Sequence, residues 1–297
     1  MKFTSVNRVL VSSSLAVAAM AATAARASVL LYEPFNYSGS TLDGKSGAFG
    51  TTGSYAEWNP TNTPVAGPLR LGSSSLSYPA GTTLVSSGGS VTDGTATTQD
   101  GDYIPLATPI NLANPGTYYI SFLAESISRT SSQSYLGVDL NAGETAPRTA
   151  VDIHFGWGSS GSIRTGGDPQ SGSSLTNTIV TSSSPALTLS TTYMLIGKIV
   201  DTGGSVTTYL TAYPSTGSVP ATEPTSWNVT SLTTLTSATY TNLQIRKGTN
   251  LSVVVDEVLI GTTYADVTQA QPVPEPSATL AGGAVAAAAA MRRRRRA

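Results

Sequence analysis

Between residues 28 and 268 the apolar positions come in short runs, and clusters of Gly, Ser, Asn, Asp and Pro separate them. Residues 118–125 place Ile120, Phe122 and Ala124 on one side of an extended chain and Tyr119, Ser121, Leu123 and Glu125 on the other. Residues 151–157 alternate in the same way, with Val151, Ile153, Phe155 and Trp157 opposed to Asp152 and His154. A period of two marks a strand with one covered face, because successive side chains leave a strand on opposite sides. Residues 193–201 and 205–213 flank Thr202-Gly203-Gly204 and predict a β-hairpin. Residues 251–260 form the most apolar strand, preceded by Leu243-Gln244-Ile245 across Gly248-Thr249-Asn250. The Ser/Thr/Gly stretches 86–98 and 159–174 read as loops. No segment of this region sustains a helical period. The expectation is one all-β domain over 28–268, an antiparallel β-sandwich, and that length suits a single sandwich.

The two ends follow other patterns. At the start, Lys2 and Arg8 precede an Ala/Val/Leu/Ser-rich stretch, 9–24, that leads into Ala25-Arg26-Ala27. A positive region, an apolar region and a small-x-small triplet in that order are what signal peptidase reads, so residues 1–27 are expected to be a signal peptide cleaved between Ala27 and Ser28. Residues 269–297 carry Val273-Pro274-Glu275-Pro276, an apolar run at 278–291, and Arg292, Arg293, Arg294, Arg295 and Arg296. The prolines favour an extended, accessible segment. The apolar run predicts a short C-terminal hydrophobic helix, and the arginines would stay cytoplasmic and stop export with the body outside. At about fourteen residues the run falls short of the roughly twenty of a stable span, which suits transient retention in the inner membrane.

This ending resembles the PEP-CTERM sorting signal of Gram-negative envelope proteins, with Pro274-Glu275-Pro276 as the name-giving tripeptide. The resemblance covers the last two dozen residues and implies recognition by an exosortase, removal of the tail, and a cell-surface or extracellular destination in a bacterium that makes extracellular polysaccharide. The opening residues 30–37 and the closing residues 256–267 of the body resemble the concanavalin A-like, or laminin-G-like, jelly roll. That resemblance implies first and last strands lying close together. It also implies a structural calcium near them, with Glu33 and Asp256 as candidate ligands; Asp100 and Asp102, read as loop residues, are a second option.

Composition narrows the chemistry. The 297-residue chain has no cysteine, so disulfides, thiolate metal sites and cysteine nucleophiles are excluded. Its single histidine, His154, excludes two-histidine metal sites. Leader and tail hold eight of the 16 basic residues, whereas the body keeps 16 of the 17 acidic ones. A body at about −8 repels phosphate backbones, and nucleic acid is not an expected partner. No Glu-x-Asp-x-x-Glu arrangement is present to supply a glucanase-type acid pair on one strand. Asp152 beside His154 is a candidate acid–base pair, but no nucleophile motif accompanies it, and a surface pair is the expected reading. Trp58 and Trp227 stand in Pro/Asn/Thr-rich stretches where an exposed ring would stack on a sugar. The function expected is therefore that of a non-catalytic exported surface or matrix protein with extracellular polysaccharide as a partner. A secreted carbohydrate-active enzyme with its carboxylates on distant strands is the alternative.

Overall fold

The computed structural model describes residues 29–48, 57–60, 66–78, 88–93, 99–112, 114–130, 134–142, 151–169, 179–203, 205–233 and 239–269. The expected signal peptide and sorting tail, including Ala25, Ala27, Ser28, residues 273–276 and 292–296, lie outside them. Among the described residues no helix is long and apolar enough to cross a membrane.

The body is the all-β antiparallel sandwich that the alternation predicts, of the jelly-roll type that the resemblance of its first and last segments implies. Sheet one contains β1 (Val29–Glu33), β4 (Arg70–Gly72), β5 (Ser90–Thr92), β7 (Gly116–Arg129), β12 (Thr192–Asp201), β13 (Val206–Pro214), β14 (Val229–Thr233) and β16 (Leu251–Gly261). Its order is β14-β13-β12-β7-β16-β5-β4, with β1 also on β16, so the first and last strands pair. Sheet two contains β2 (Asn59–Pro60), β3 (Ala66–Gly67), β6 (Gln99–Asn111), β8 (Leu136–Asn141), β9 (Val151–Trp157), β10 (Ser162–Pro169), β11 (Val180–Ala186) and β15 (Thr239–Lys247). Its order is β11-β10-β9-β8-β15-β6-β2, with the short β3 parallel to β6.

The predicted hairpin is β12–β13, closed by a Thr202 N–H to Ser205 carbonyl bond, with Gly203 at φ +85° where an L side chain is disfavoured. Two stretches expected to be loops instead contain strands β5 and β10. Their serine and glycine content hid them, and cross-strand pairing supplies what local propensity does not.

The main core fills the space between the sheets with Ile120 and Phe122 of β7 and the inward residues Ile153, Phe155 and Trp157 of β9, all essentially inaccessible. Leu136, Val138 and Leu140 of β8 and Leu243 and Ile245 of β15 point into the same core. The sheets approach closely at Gly197 on β12: a Cβ there would stand 2.5 Å from the Phe155 ring of the opposite sheet.

Sheet one is covered on its other face as well. Tyr119, Leu123, Met194, Ile196 and Leu259 form a second apolar cluster with Leu76 and Tyr78 and with Tyr264 and Val267 of α1 (Tyr264–Thr268). The outward side of residues 118–125, expected to be half-exposed, is therefore buried. Thr263 and Asp266 cap α1 reciprocally, which fixes the short helix over this face.

Candidate functional site

Among the described residues, sheet two has no comparable apolar cluster on its outer side, and that face is polar. The inward turn of Leu136, Val138 and Leu140 sends Gly137, Asp139 and Asn141 outward, just as Ile153, Phe155 and Trp157 send His154 outward. Asn242, Gln244 and Arg246 alternate with Leu243 and Ile245 on β15. Strand register aligns these positions in rows across β15, β8, β9 and β10. One row is Arg246, Gly137, Gly156 and Arg164; the next is Gln244, Asp139, His154 and Gly166; the third is Asn242, Asn141, Asp152 and Asp168.

A hydrogen-bonded chain of charged groups links the first two rows. Arg246 Nε donates to Asp139 Oδ2, Asp139 Oδ1 lies 2.7 Å from His154 Nδ1, and Arg164 Nε donates to His154 Nε2 at 3.0 Å. Because Nε2 accepts, the network assigns the ring proton to Nδ1, which donates to Asp139. Burial lowers the His154 pKa, and the two arginines add to this against the pull of Asp139, so the ring is neutral at pH 7. Burial pushes the Asp139 carboxyl up, but Arg246 and His154 outweigh it and hold the group below the ordinary carboxylate range. The Arg164 guanidinium also lies 5.2 Å from the Tyr135 ring centroid, a cation–π distance.

The glycines leave room in the first row for the Asp139 and His154 side chains that lie across it. A Cβ on Gly137 would stand 2.7 Å from the Asp139 carboxylate and 3.0 Å from the His154 ring, and one on Gly156 would meet the Leu136 carbonyl at 1.9 Å. In the third row Asn242 is 1% exposed, yet among the described residues neither its amide nitrogen nor its amide oxygen has a hydrogen-bond partner. Asn141 beside it donates to Gln244 at 3.5 Å. An unmade bond of this kind typically costs about 1–3 kcal/mol, which marks Asn242 as a buried polar side chain held against its own hydrogen-bonding needs.

The residues singled out from sequence fall elsewhere or take other roles. His154 is buried rather than superficial, and Asp139 on the neighbouring strand meets its ring; the side chain of Asp152, the expected partner, lies outside what the structure describes. Trp58 is a core residue: it is inaccessible, packs beside Phe35 at a ring separation of 6.0 Å, and donates to Glu33 at 2.9 Å. Its polar sequence neighbours signalled exposure, but the fold turns the ring inward. Trp227 is half-buried on the outer side of sheet one, 5.7 Å from the Tyr209 ring. The two tryptophans therefore form no common platform.

Glu33 and Asp256 stand on opposite faces of sheet one. Glu33 faces the main core and accepts from Phe35 N–H, Tyr37 Oη and Trp58 Nε1. Asp256 faces the second cluster and accepts from Ser75 Oγ and the backbone of Leu76 and Glu257. They do not converge on one cation, and among the described residues no group of three His, Asp or Glu side chains suits a metal. Asp100 and Asp102 lie on strand β6 rather than in a loop. Asp100 is 3.3 Å from Lys247 Nζ in a buried ion pair, and Asp102 accepts from Leu69 N–H. Each of these carboxylates is held within the fold by hydrogen bonds or an ion pair.

Asp139, Arg164, Asn242, Gln244 and Arg246 were not recognised in the sequence. The available signal was the alternation in 136–141 and 242–247, where every outward position is polar or glycine.

The sequence matches no known protein family and no curated relative. Solved structures with a similar chain course include the globular domain of T. cruzi calreticulin, at 10% identity over 79% of this chain and 88% of that one, with a TM-score of 0.44. Another is the lectin UEA-II complexed with galactose, at 13% identity over 59% and 87%, with a TM-score of 0.37. A third is the carbohydrate recognition domain of Emp47p, at 7% identity over 78% and 97%, with a TM-score of 0.38. At these values the likeness assigns no ligand and no residue role to the present chain.

Proposed function

We propose that this is an exported, non-catalytic surface or matrix protein, processed by signal peptidase and an exosortase, whose sandwich binds extracellular polysaccharide on the outer face of sheet two. The observation that supports the binding reading is the polar layer of that face, in which the buried Asn242 has no hydrogen-bond partner among the described residues and stands beside Asn141, Gln244, Asp139 and His154, so a ligand would reach it only where the covering chain gives way. Sugar hydroxyls both donate and accept, and planar amides, carboxylates and guanidiniums held by second partners are suited to fix them. The sorting part rests on the order of the tripeptide, the apolar run and the arginine cluster in residues 273–296.

Catalysis is the less favoured reading. His154 and Asp139 form the hydrogen-bonded pair that a general base uses, but the second ring nitrogen is occupied by Arg164 and the ring is 1% exposed. A glycan array probed with wild type and Asn242→Ala tests the binding reading: wild type should bind and the variant should bind less. Wild-type binding that Asn242→Ala leaves unchanged would move the site off this face. Intact-mass analysis of protein from its native envelope tests the sorting reading, with a form running from Ser28 to about Pro276 as the expected product. Retention of the arginine tail in the inner membrane would overturn it.

A further inference from the structure

We propose that Lys247 and Asp100 condense into an isopeptide bond that ties β15 to β6 inside the sandwich. The two residues pair in register, and the alternation that points Leu243 and Ile245 of β15 and Ile104 of β6 into the main core points Lys247, Asp100 and Asp102 there too. Lys247 is inaccessible and Asp100 is 3% exposed, with Lys247 Nζ 3.3 Å from Asp100 Oδ2. Register continues the row from Lys247 to Leu136 and Trp157, both inaccessible. In such an interior the cost of burying two charges can exceed their attraction. A proton passed from Nζ to the carboxylate leaves an amine facing a carboxylic acid, and apolar surroundings favour that neutral form more than water does.

The reaction is a dehydration and needs no oxidant, reductant or cofactor. The Nζ lone pair attacks Cγ of Asp100, the Nζ–Cγ bond forms, and one Cγ–O bond breaks. Two of the three protons of the ammonium leave with that oxygen as water, so atoms and charge balance. Cross-strand neighbours held at this separation react as an intramolecular pair, which removes the entropic cost of their meeting. The Leu251 carbonyl accepts from Nζ at 3.4 Å and holds the N–H that the amide retains. Asp102 relays the protons. It lies two residues from Asp100 on the same face of β6 and is inaccessible. Burial, with repulsion from Asp43 and Asp100, raises its pKa to about 8, so at pH 7 it has a proton to give to the departing oxygen and takes one back from the nitrogen. Because Oδ2 accepts from Leu69 N–H, that proton belongs on Oδ1, which has no partner among the described residues. The chain has no cysteine for a disulfide, and a bond between strands so distant in sequence would stabilise the body by restricting the unfolded chain.

Mass spectrometry of the full chain, purified folded and then denatured and digested with trypsin, tests this. The intact mass should fall short of that expected from the sequence by about 18 Da, one water. Trypsin should leave Lys247 uncut and deliver residues 71–129 joined to the peptide that begins at Lys247. Full mass with cleavage after Lys247 would overturn the proposal. The same deficit carried by residues 71–129 alone would also overturn it, because it marks an imide at an Asp-Gly step such as Asp100-Gly101. These readings come from wild type and need no variant to fold. Asp102→Asn should cut the joined fraction at least about tenfold, and an undiminished fraction would overturn the part given to Asp102.

Discussion

Replacing Asp102 with Asn should change how stability depends on pH, and the structure sets both the sign and the size. Asp102 is inaccessible and faces the core; Leu69 N–H donates to one carboxylate oxygen, and among the described residues the other has no partner. Burial pushes its pKa from 3.8 to about 8, and Asp43 and Asp100 add repulsion that the Leu69 bond does not offset. The folded chain therefore keeps a proton that the unfolded chain has released, and stability present below pH 3.8 is lost as pH rises towards 8. The loss approaches about 1.4 kcal/mol per pH unit in that window. The Asn side chain keeps the acceptor for Leu69 and cannot ionise. Its amide hydrogens meet the same unpartnered surroundings, which adds a cost that does not vary with pH. The stability of Asp102→Asn relative to wild type should accordingly rise by up to about 4 kcal/mol between about pH 5 and pH 8. Glu33 and Asp256, each pushed up to about 7 by burial, lose stability with rising pH in both proteins and cancel in the difference. Urea unfolding at several pH values, followed by tryptophan fluorescence, gives the curve. A difference that stays flat across this range would refute the buried, protonated Asp102.

Two further sets of substitutions probe the core and the tryptophans. Gly197→Ala brings a methyl group to 2.5 Å from Phe155 and 2.8 Å from Ile120, and should cost about 1–3 kcal/mol in urea unfolding; adding Phe155→Leu should recover part of that loss. Trp58→Ala should lower stability by about 3–5 kcal/mol, while Trp227→Ala, at a half-buried site, should cost about 1 kcal/mol. Loss of glycan binding in Trp58→Ala at unchanged stability would contradict the core placement of that ring.

The sequence by itself determined the strands that alternate strongly and the hairpin at Gly203, because side-chain alternation and turn chemistry are local properties. The closeness of the first and last strands was legible only through the resemblance of residues 30–37 and 256–267 to a jelly roll, and the β1–β16 pairing agrees with it. The expectation of a sorting signal in residues 273–296 rests on residue order alone. Which side chains share a face was decided only in three dimensions. Asp139 and His154 are 15 residues apart, and Arg246 lies 107 residues from Asp139, so nothing local joins them into one network. Strand register brings them side by side. The same folding turned Trp58 inward, put Glu33 and Asp256 on opposite faces, and covered the outward side of β7 with α1. Which side of a strand meets solvent depends on what packs over it, and that information is carried by segments distant in the chain.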